Sequence, residues 1–123
     1  MYVKQSDATD VLRKRIHDGD GTIKVRRFFL EENDLPMQMA VWELEPGVSE
    51  GGHVHQDDDA LVEFYYFLKG SGVMSVDGDD VPVQAGEAVM VPPGAERGLR
   101  NTGDQPLKLV IVWAKPNEAT FAG

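Results

Sequence analysis

Apolar residues in this chain come in short runs, and glycine, proline or a polar turn closes each one. That pattern leaves no room for long helices and constrains the fold more than any other feature. Thr22 to Leu30 alternates and reads as a strand, followed by a turn at Asn33-Asp34-Leu35-Pro36. Gln38 to Glu45 sets Ala40, Trp42 and Leu44 on one face and stops at Pro46-Gly47. Phe64 to Leu68 ends at Lys69-Gly70-Ser71-Gly72. Val73 to Val76 and Val81 to Val83 flank Asp77-Gly78-Asp79-Asp80, a hairpin signal. Pro82 suits an edge strand or a strand start, because proline lacks the N–H that a central strand would need. Ala88 to Val91 leads into Pro92-Pro93-Gly94, and Leu107 to Ala114, the longest apolar run, is expected to be buried on both faces. Only Asp10 to His17 offers a short helix, capped by Thr9 or Asp10. Trp42 and Trp113 are expected in the core or at a subunit contact. Many short strands with turns at near-regular spacing predict an all-β domain, a sandwich or a small barrel.

A chain of 123 residues fits one domain, large enough to bury roughly 65% of the surface its unfolded form exposes. Residues 1–21 read as an N-terminal arm and residues 22–123 as the β domain. Cysteine is absent, which excludes disulfides, thiolate metal sites and cysteine nucleophiles. No apolar leader or membrane-length stretch stands out, so a cytoplasmic protein is the expectation. The formal charge is −9, from 12 basic and 21 acidic residues. Such a surface repels nucleic acid, and the short basic patches Arg13-Lys14-Arg15 and Lys24 to Arg27 are flanked by acids and read as solvated surface.

Two of the three histidines stand one residue apart, in Gly52-His53-Val54-His55. Extended backbone sends alternate side chains to the same face, so His53 and His55 would point together. Glu63 lies downstream, and Tyr65 and Phe67 share its face of the next strand. They are expected inside a barrel or in plain core packing. The third histidine, His17, falls in the turn-like His17-Asp18-Gly19-Asp20-Gly21 and is expected at the surface; an arm folded over a barrel mouth would bring it in.

The stretch Gly47, His53-Val54-His55, Glu63, Gly70 resembles the first motif of the cupin superfamily: a glycine, five residues, H-x-H, a short gap, a glutamate, six residues and a glycine. Gly86 to Asn101, GEAVMVPPGAERGLRN, resembles the second, with Gly86, Pro92, Gly94 and Asn101 in place. The resemblance covers residues 38–114. It implies a double-stranded β-helix, a jelly-roll barrel, with a site inside. There one divalent ion (Fe, Mn, Ni, Co or Zn) is commonly held by two histidines, a glutamate and a later histidine. The superfamily includes dioxygenases, isomerases, lyases and non-enzymatic binders, so the fold leaves the function open.

This chain departs from the pattern twice. Seven residues, including the acidic Asp57 to Asp59, separate His55 from Glu63. Asp59 is therefore a rival carboxylate ligand, although the six-residue step to the turn glycine fits Glu63 to Gly70. A calcium site in the acidic run is a further reading. More tellingly, Arg97 occupies the last ligand position. A guanidinium stays protonated and has no lone pair to give a metal.

Two readings follow. In one, His53, His55 and Glu63 form a three-ligand divalent metal site, Arg97 clamps a small anionic metabolite beside it, and Tyr65 serves as an acid–base residue or orienting donor. In the other, Arg97 pairs with Glu63, no metal binds, and the barrel is a non-enzymatic binder of a small ligand such as a carbohydrate or organic acid. A homodimer is also expected. Leu107, Leu109, Ile111 and Trp113 share one face of the last strand, and Val110, Val112 and Ala114 fill the other, which a single barrel wall leaves in need of cover.

Overall fold

The computed structural model describes residues 1–55 and 60–116, and these residues hold ten strands and no helix. The strands are β1 (Leu12–Lys14), β2 (Ile23–Phe28), β3 (Met37–Leu44), β4 (Ser49–Val54), β5 (Val62–Lys69), β6 (Ser71–Val76), β7 (Asp79–Gln84), β8 (Ala88–Val91), β9 (Glu96–Arg100) and β10 (Leu107–Ala114). They pair antiparallel into two sheets, ordered β1-β2-β3-β10-β5-β8 and β4-β9-β6-β7. From β3 onward the chain passes back and forth between the sheets, pausing only at the β6–β7 hairpin. This is the jelly-roll winding expected of the double-stranded β-helix.

Local chemistry accounts for most of these elements. Asp77 (φ 48°) and Gly78 (φ 83°) turn the β6–β7 hairpin with positive φ at both positions, as a tight hairpin requires. β7 is the outer strand of its sheet, so Pro82 meets the requirement for an edge. Between the sheets lie Ile23, Ala40, Trp42, Leu44, Phe67 and Leu109, all buried. Trp42 thus takes the core position expected of it, and Trp113 is partly buried beside the same cluster.

The chain corrects two expectations and adds one strand that the sequence did not signal. Asp10 to His17 is not a helix: Leu12–Lys14 is β1, pairing Leu12 with Val25 and Lys14 with Ile23. Asp10 (φ 53°) and His17 (φ 51°) hold left-handed backbone at the two ends, which a right-handed helix excludes. An eight-residue helix is marginal in any case, whereas the open edge of β2 supplies ready hydrogen-bond partners. β9 gave no apolar signal because it carries Glu96, Arg97 and Arg100. β10 is not buried on both faces: Leu107, Leu109 and Ile111 are buried, but Val110 and Val112 are only partly covered. Beside them, on the same outer face, Phe64, Tyr66, Leu68 and Met90 are exposed. No described helix is long and apolar enough to cross a membrane.

The arm lies against both sheets. β1 extends the six-stranded sheet, Asp7 pairs with Lys108 at 2.7 Å, and the Gln5 side chain accepts from Phe29 N at 2.9 Å. Further along, Ile16 O accepts from Gly51 N at 3.1 Å and Asp20 O accepts from Ser49 N at 2.9 Å, which seats residues 16–20 on β4.

Candidate metal centre

β4 supplies His53, and His55 follows directly after its end. The two rings sit edge to face, centroids 4.7 Å apart. Across the barrel, Glu63 on β5 points at both: its Oε1 lies 3.9 Å from His53 Nε2 and 3.7 Å from His55 Nε2. The structure therefore brings His53, His55 and Glu63 together, the grouping that the motif resemblance implied. Asp59 lies outside the described residues, as does the acidic run read as a calcium site.

His53 is held in one tautomer. Its Nδ1 lies 3.1 Å from Gly51 O. A carbonyl only accepts, so Nδ1 carries the hydrogen and Nε2 keeps its lone pair. Burial, and then the charges of His17, His55 and Arg97, hold its pKa down at about 4, so the ring is neutral at physiological pH. Nε2 is buried and has no hydrogen-bond partner among the described residues. A neutral imidazole with an unused, inward-facing lone pair is the state a metal ligand needs.

Glu50, which the sequence reading did not single out, is buried beside this ring. Its Oε2 lies 3.7 Å from His53 Nε2 and is likewise without a hydrogen-bond partner among the described residues. Strict alternation would place Glu50 on the face opposite His53. A bulge intervenes: Glu50 pairs with Leu99 and His53 with Arg97, so three steps on β4 span two on β9. The extra residue turns Glu50 and His53 to the same side. The Gly51-Gly52 doublet was the available signal, since glycines inside a strand mark bulges. Burial pushes the Glu50 carboxyl up to about 8, with the Glu63 charge adding to the effect. The Tyr65 hydroxyl donates to Glu50 Oε1 at 3.3 Å, and burial holds its own pKa well above the usual phenol value. Tyr65 is fully buried, as is Phe67, so both face inward as alternation required. At neutral pH Tyr65 is a hydroxyl donor.

Arg97 is fully buried. Its Nη1 donates to Glu63 Oε1 at 2.5 Å, Nη2 to Pro92 O at 2.8 Å and Ala95 O at 3.1 Å, and Nε to Ala95 O at 3.2 Å. Four of the five N–H groups of a guanidinium are thus engaged among the described residues. Arg97 is a fixed cation that orients Glu63.

The third histidine is also here. The His17 ring stacks on His53 with centroids 3.5 Å apart and planes within 13°, and it lies edge-on to His55 at 6.1 Å. One ligand atom from each of His17, His53 and His55 lies within 4.8 Å of the others. The donor set of three imidazoles with an adjacent carboxylate, together with the two unpartnered polar atoms, fits a divalent transition metal.

Residues 40–113 match the family model described as a cupin domain. An oxalate-binding protein of Thermotoga maritima is 30% identical over 114 residues, covering 91% of this chain and 92% of its own length. A crystal structure of a predicted oxalate decarboxylase, also from Thermotoga maritima, superimposes with a TM-score of 0.85 at 28% identity, over 94% of this chain and all of that one. A cupin 2 conserved barrel domain protein from Salinispora arenicola shares the fold, with a TM-score of 0.74 at 22% identity over 94% of this chain and 89% of its own.

Proposed function

The chain belongs to the cupin family, and on that premise we propose that it binds a small dicarboxylate of the oxalate class at a divalent metal ion held by His53, His55 and Glu63. The observation that carries this reading is the convergence of His53 Nε2 and His55 Nε2 on Glu63 Oε1, at 3.9 and 3.7 Å, with the His53 lone pair unused. When bound, the metal would supply a Lewis acid for carboxylate oxygens. Glu63 contributes one negative charge and Arg97 one positive charge, so the loaded site would keep an excess charge of about two, which a dianion matches. Arg97 fixes the Glu63 carboxylate and places a cation next to the ligand. Tyr65 donates its hydroxyl hydrogen to Glu50, which lies beside His53. The name of the Thermotoga relative supports the choice of ligand class.

The 2.5 Å contact between Arg97 and Glu63 favours a second reading, a metal-free pocket that binds an organic acid or carbohydrate. One experiment separates the two. Protein stripped with a chelator is titrated with oxalate by calorimetry, alone and after adding Mn, Fe, Co, Ni or Zn. Stoichiometric metal uptake with oxalate binding only in its presence supports the metal site. Oxalate binding unaffected by chelation transfers the function to the metal-free reading. Protein that takes up neither overturns both as stated.

We also propose that the chain is a homodimer through the outer face of β5, β10 and β8. Phe64 pairs with Met90 and Val112, and Tyr66 with Val110, so their side chains form one continuous apolar patch that only another surface would cover. Light scattering at micromolar concentration is expected to give twice the chain mass, and Tyr66→Lys to give the chain mass. A monomer mass for the unaltered protein rejects the dimer.

A further inference from the structure

We propose that His17, carried by the N-terminal arm, is the third imidazole ligand of the barrel metal and takes the ligand role that Arg97 leaves vacant in the second motif. This rests on the metal reading of the site.

Three independent features converge on it. The first is position. His17 reaches the pair His53 and His55 from outside the strands that hold them, and one nitrogen of each ring lies within 4.8 Å of the others. Three nitrogens around one transition metal sit roughly 3 to 3.5 Å apart at metal–nitrogen distances of about 2.0–2.1 Å. An imidazole lone pair lies in the ring plane, so closing that gap turns His17 out of its parallel stack on His53, and His17, the exposed member, has room to turn.

The second is the way the arm is seated. Ile16 O and Asp20 O accept from Gly51 N and Ser49 N, and Asp20 N donates to Ser49 Oγ at 2.9 Å. These bonds flank His17 on both sides. The approach depends on two glycines. A Cβ on Gly51 would come within 1.8 Å of His17 O, and one on Gly19 within 2.0 Å of Ser49 O. Both residues belong to the contact that fixes His17, and Gly51 also holds the tautomer of His53. One short stretch of backbone therefore positions two imidazoles at once.

The third is the turn that carries His17. Residues 16–19 form a hydrogen-bonded turn, with Gly19 N to Ile16 O at 3.1 Å, and both central residues have positive φ: His17 at 51° and Asp18 at 57°. Turns of this kind favour Asn or Asp followed by Gly. Histidine, like Asn and Asp, enters left-handed backbone more often than most side chains do, so this turn holds His17 in place and presents its imidazole to His53 and His55.

The test is a zinc competition assay and Co(II) absorption on chelator-stripped protein: unaltered, His17→Phe, His17→Ala and Gly51→Ala. His17→Phe keeps a ring to stack on His53 but has no lone pair. His17 is exposed, so the His17 variants are expected to fold, and a melting curve on each variant checks this. Both His17 variants are expected to weaken zinc by about 100-fold or more, beyond the 10–100-fold typical of losing an outer-shell partner. The visible Co(II) bands should change with the ligand set. Gly51→Ala, which removes no ligand side chain, should weaken zinc in the same direction by displacing the arm and the Gly51 carbonyl that holds His53. If His17→Phe binds zinc and Co(II) as the unaltered protein does, His17 is only a stacking lid and the inference falls, while the His53–His55–Glu63 site stands. If the unaltered protein takes up no metal, the underlying metal reading has failed, and this inference fails with it.

Discussion

Arg97→Ala is expected to destabilise the metal-free protein by about 3–5 kcal/mol, the scale for removing one partner of a buried ion pair. For a domain of this size that lowers the melting temperature by roughly 10–20 °C. The cause is the Glu63 carboxylate, which is buried and loses the guanidinium donor that sits 2.5 Å from it. Pro92 O and Ala95 O lose their donors as well. Lysine at this position should recover little, because one ammonium cannot reach the carboxylate and two carbonyls in the geometry of a fork. Divalent metal is expected to restore part of the loss, since a bound cation at His53 and His55 compensates the same carboxylate. Melting curves on Arg97→Ala with and without metal make the measurement. A melting temperature within a few degrees of the unaltered protein would show that Glu63 does not depend on Arg97, and that the guanidinium is held for the ligand instead.

The second large effect concerns pH. In the metal-free fold Glu50 keeps its proton up to about 8, whereas the unfolded chain releases it above 4.5. Over that interval the folded state binds more protons, so stability is greatest below pH 4.5 and is lost as pH rises towards 8. His53 works in the opposite sense. Its pKa is held at about 4 against 6.5 when unfolded, so the unfolded state binds more protons between those values and stability rises with pH across them. The two effects oppose each other between 4.5 and 6.5, leaving the Glu50 decline uncompensated from 6.5 to 8. At 1.36 kcal/mol per unit this is roughly 2 kcal/mol. Glu50→Gln should abolish the decline, giving stability that rises to about pH 6.5 and is then flat relative to the unaltered protein. Denaturant titrations across this range, with chelator present, test the difference in slope. Parallel slopes would show that Glu50 is ionised in the folded state.

Much of the barrel is legible in the amino-acid sequence. Ala88 to Val91 and Leu107 to Ala114 coincide with β8 and β10, because each is apolar and bounded by turn chemistry. Pro82 foretold an edge. The strand at Glu96–Arg100 was hidden because its ends are charged and its inward residue, Arg97, is a cation whose burial depends on Glu63 thirty-four positions earlier. No local window contains that partner. The helix expected at Asp10 to His17 failed for a related reason: the edge of β2, which captures Leu12–Lys14, is a tertiary feature. At the site, the shared face of His53 and His55 was readable from their spacing, Glu63 was implied by the motif resemblance, and Arg97 was recognisable as the anomaly. Glu50 was not readable, since alternation assigns it to the wrong face. His17 was recognised only as a residue that an arm could bring in; the Gly19 and Gly51 contact that does so joins segments thirty-two positions apart.

The β4 bulge makes the chemistry of the barrel depend on length as well as on identity. Every side chain between Gly47 and His55 could be of a suitable type and the site would still be lost if that interval were one residue shorter. A regular ladder would then send either Glu50 or the two histidines outward. The hydrogen bonding of the sheet would improve in the process. Substitution alone therefore has no route between this arrangement and one with a plain β4; the two are separated by an in-frame codon gained or lost. Among related barrels, the count of residues between the opening glycine and the first histidine is thus a more telling comparison than percentage identity.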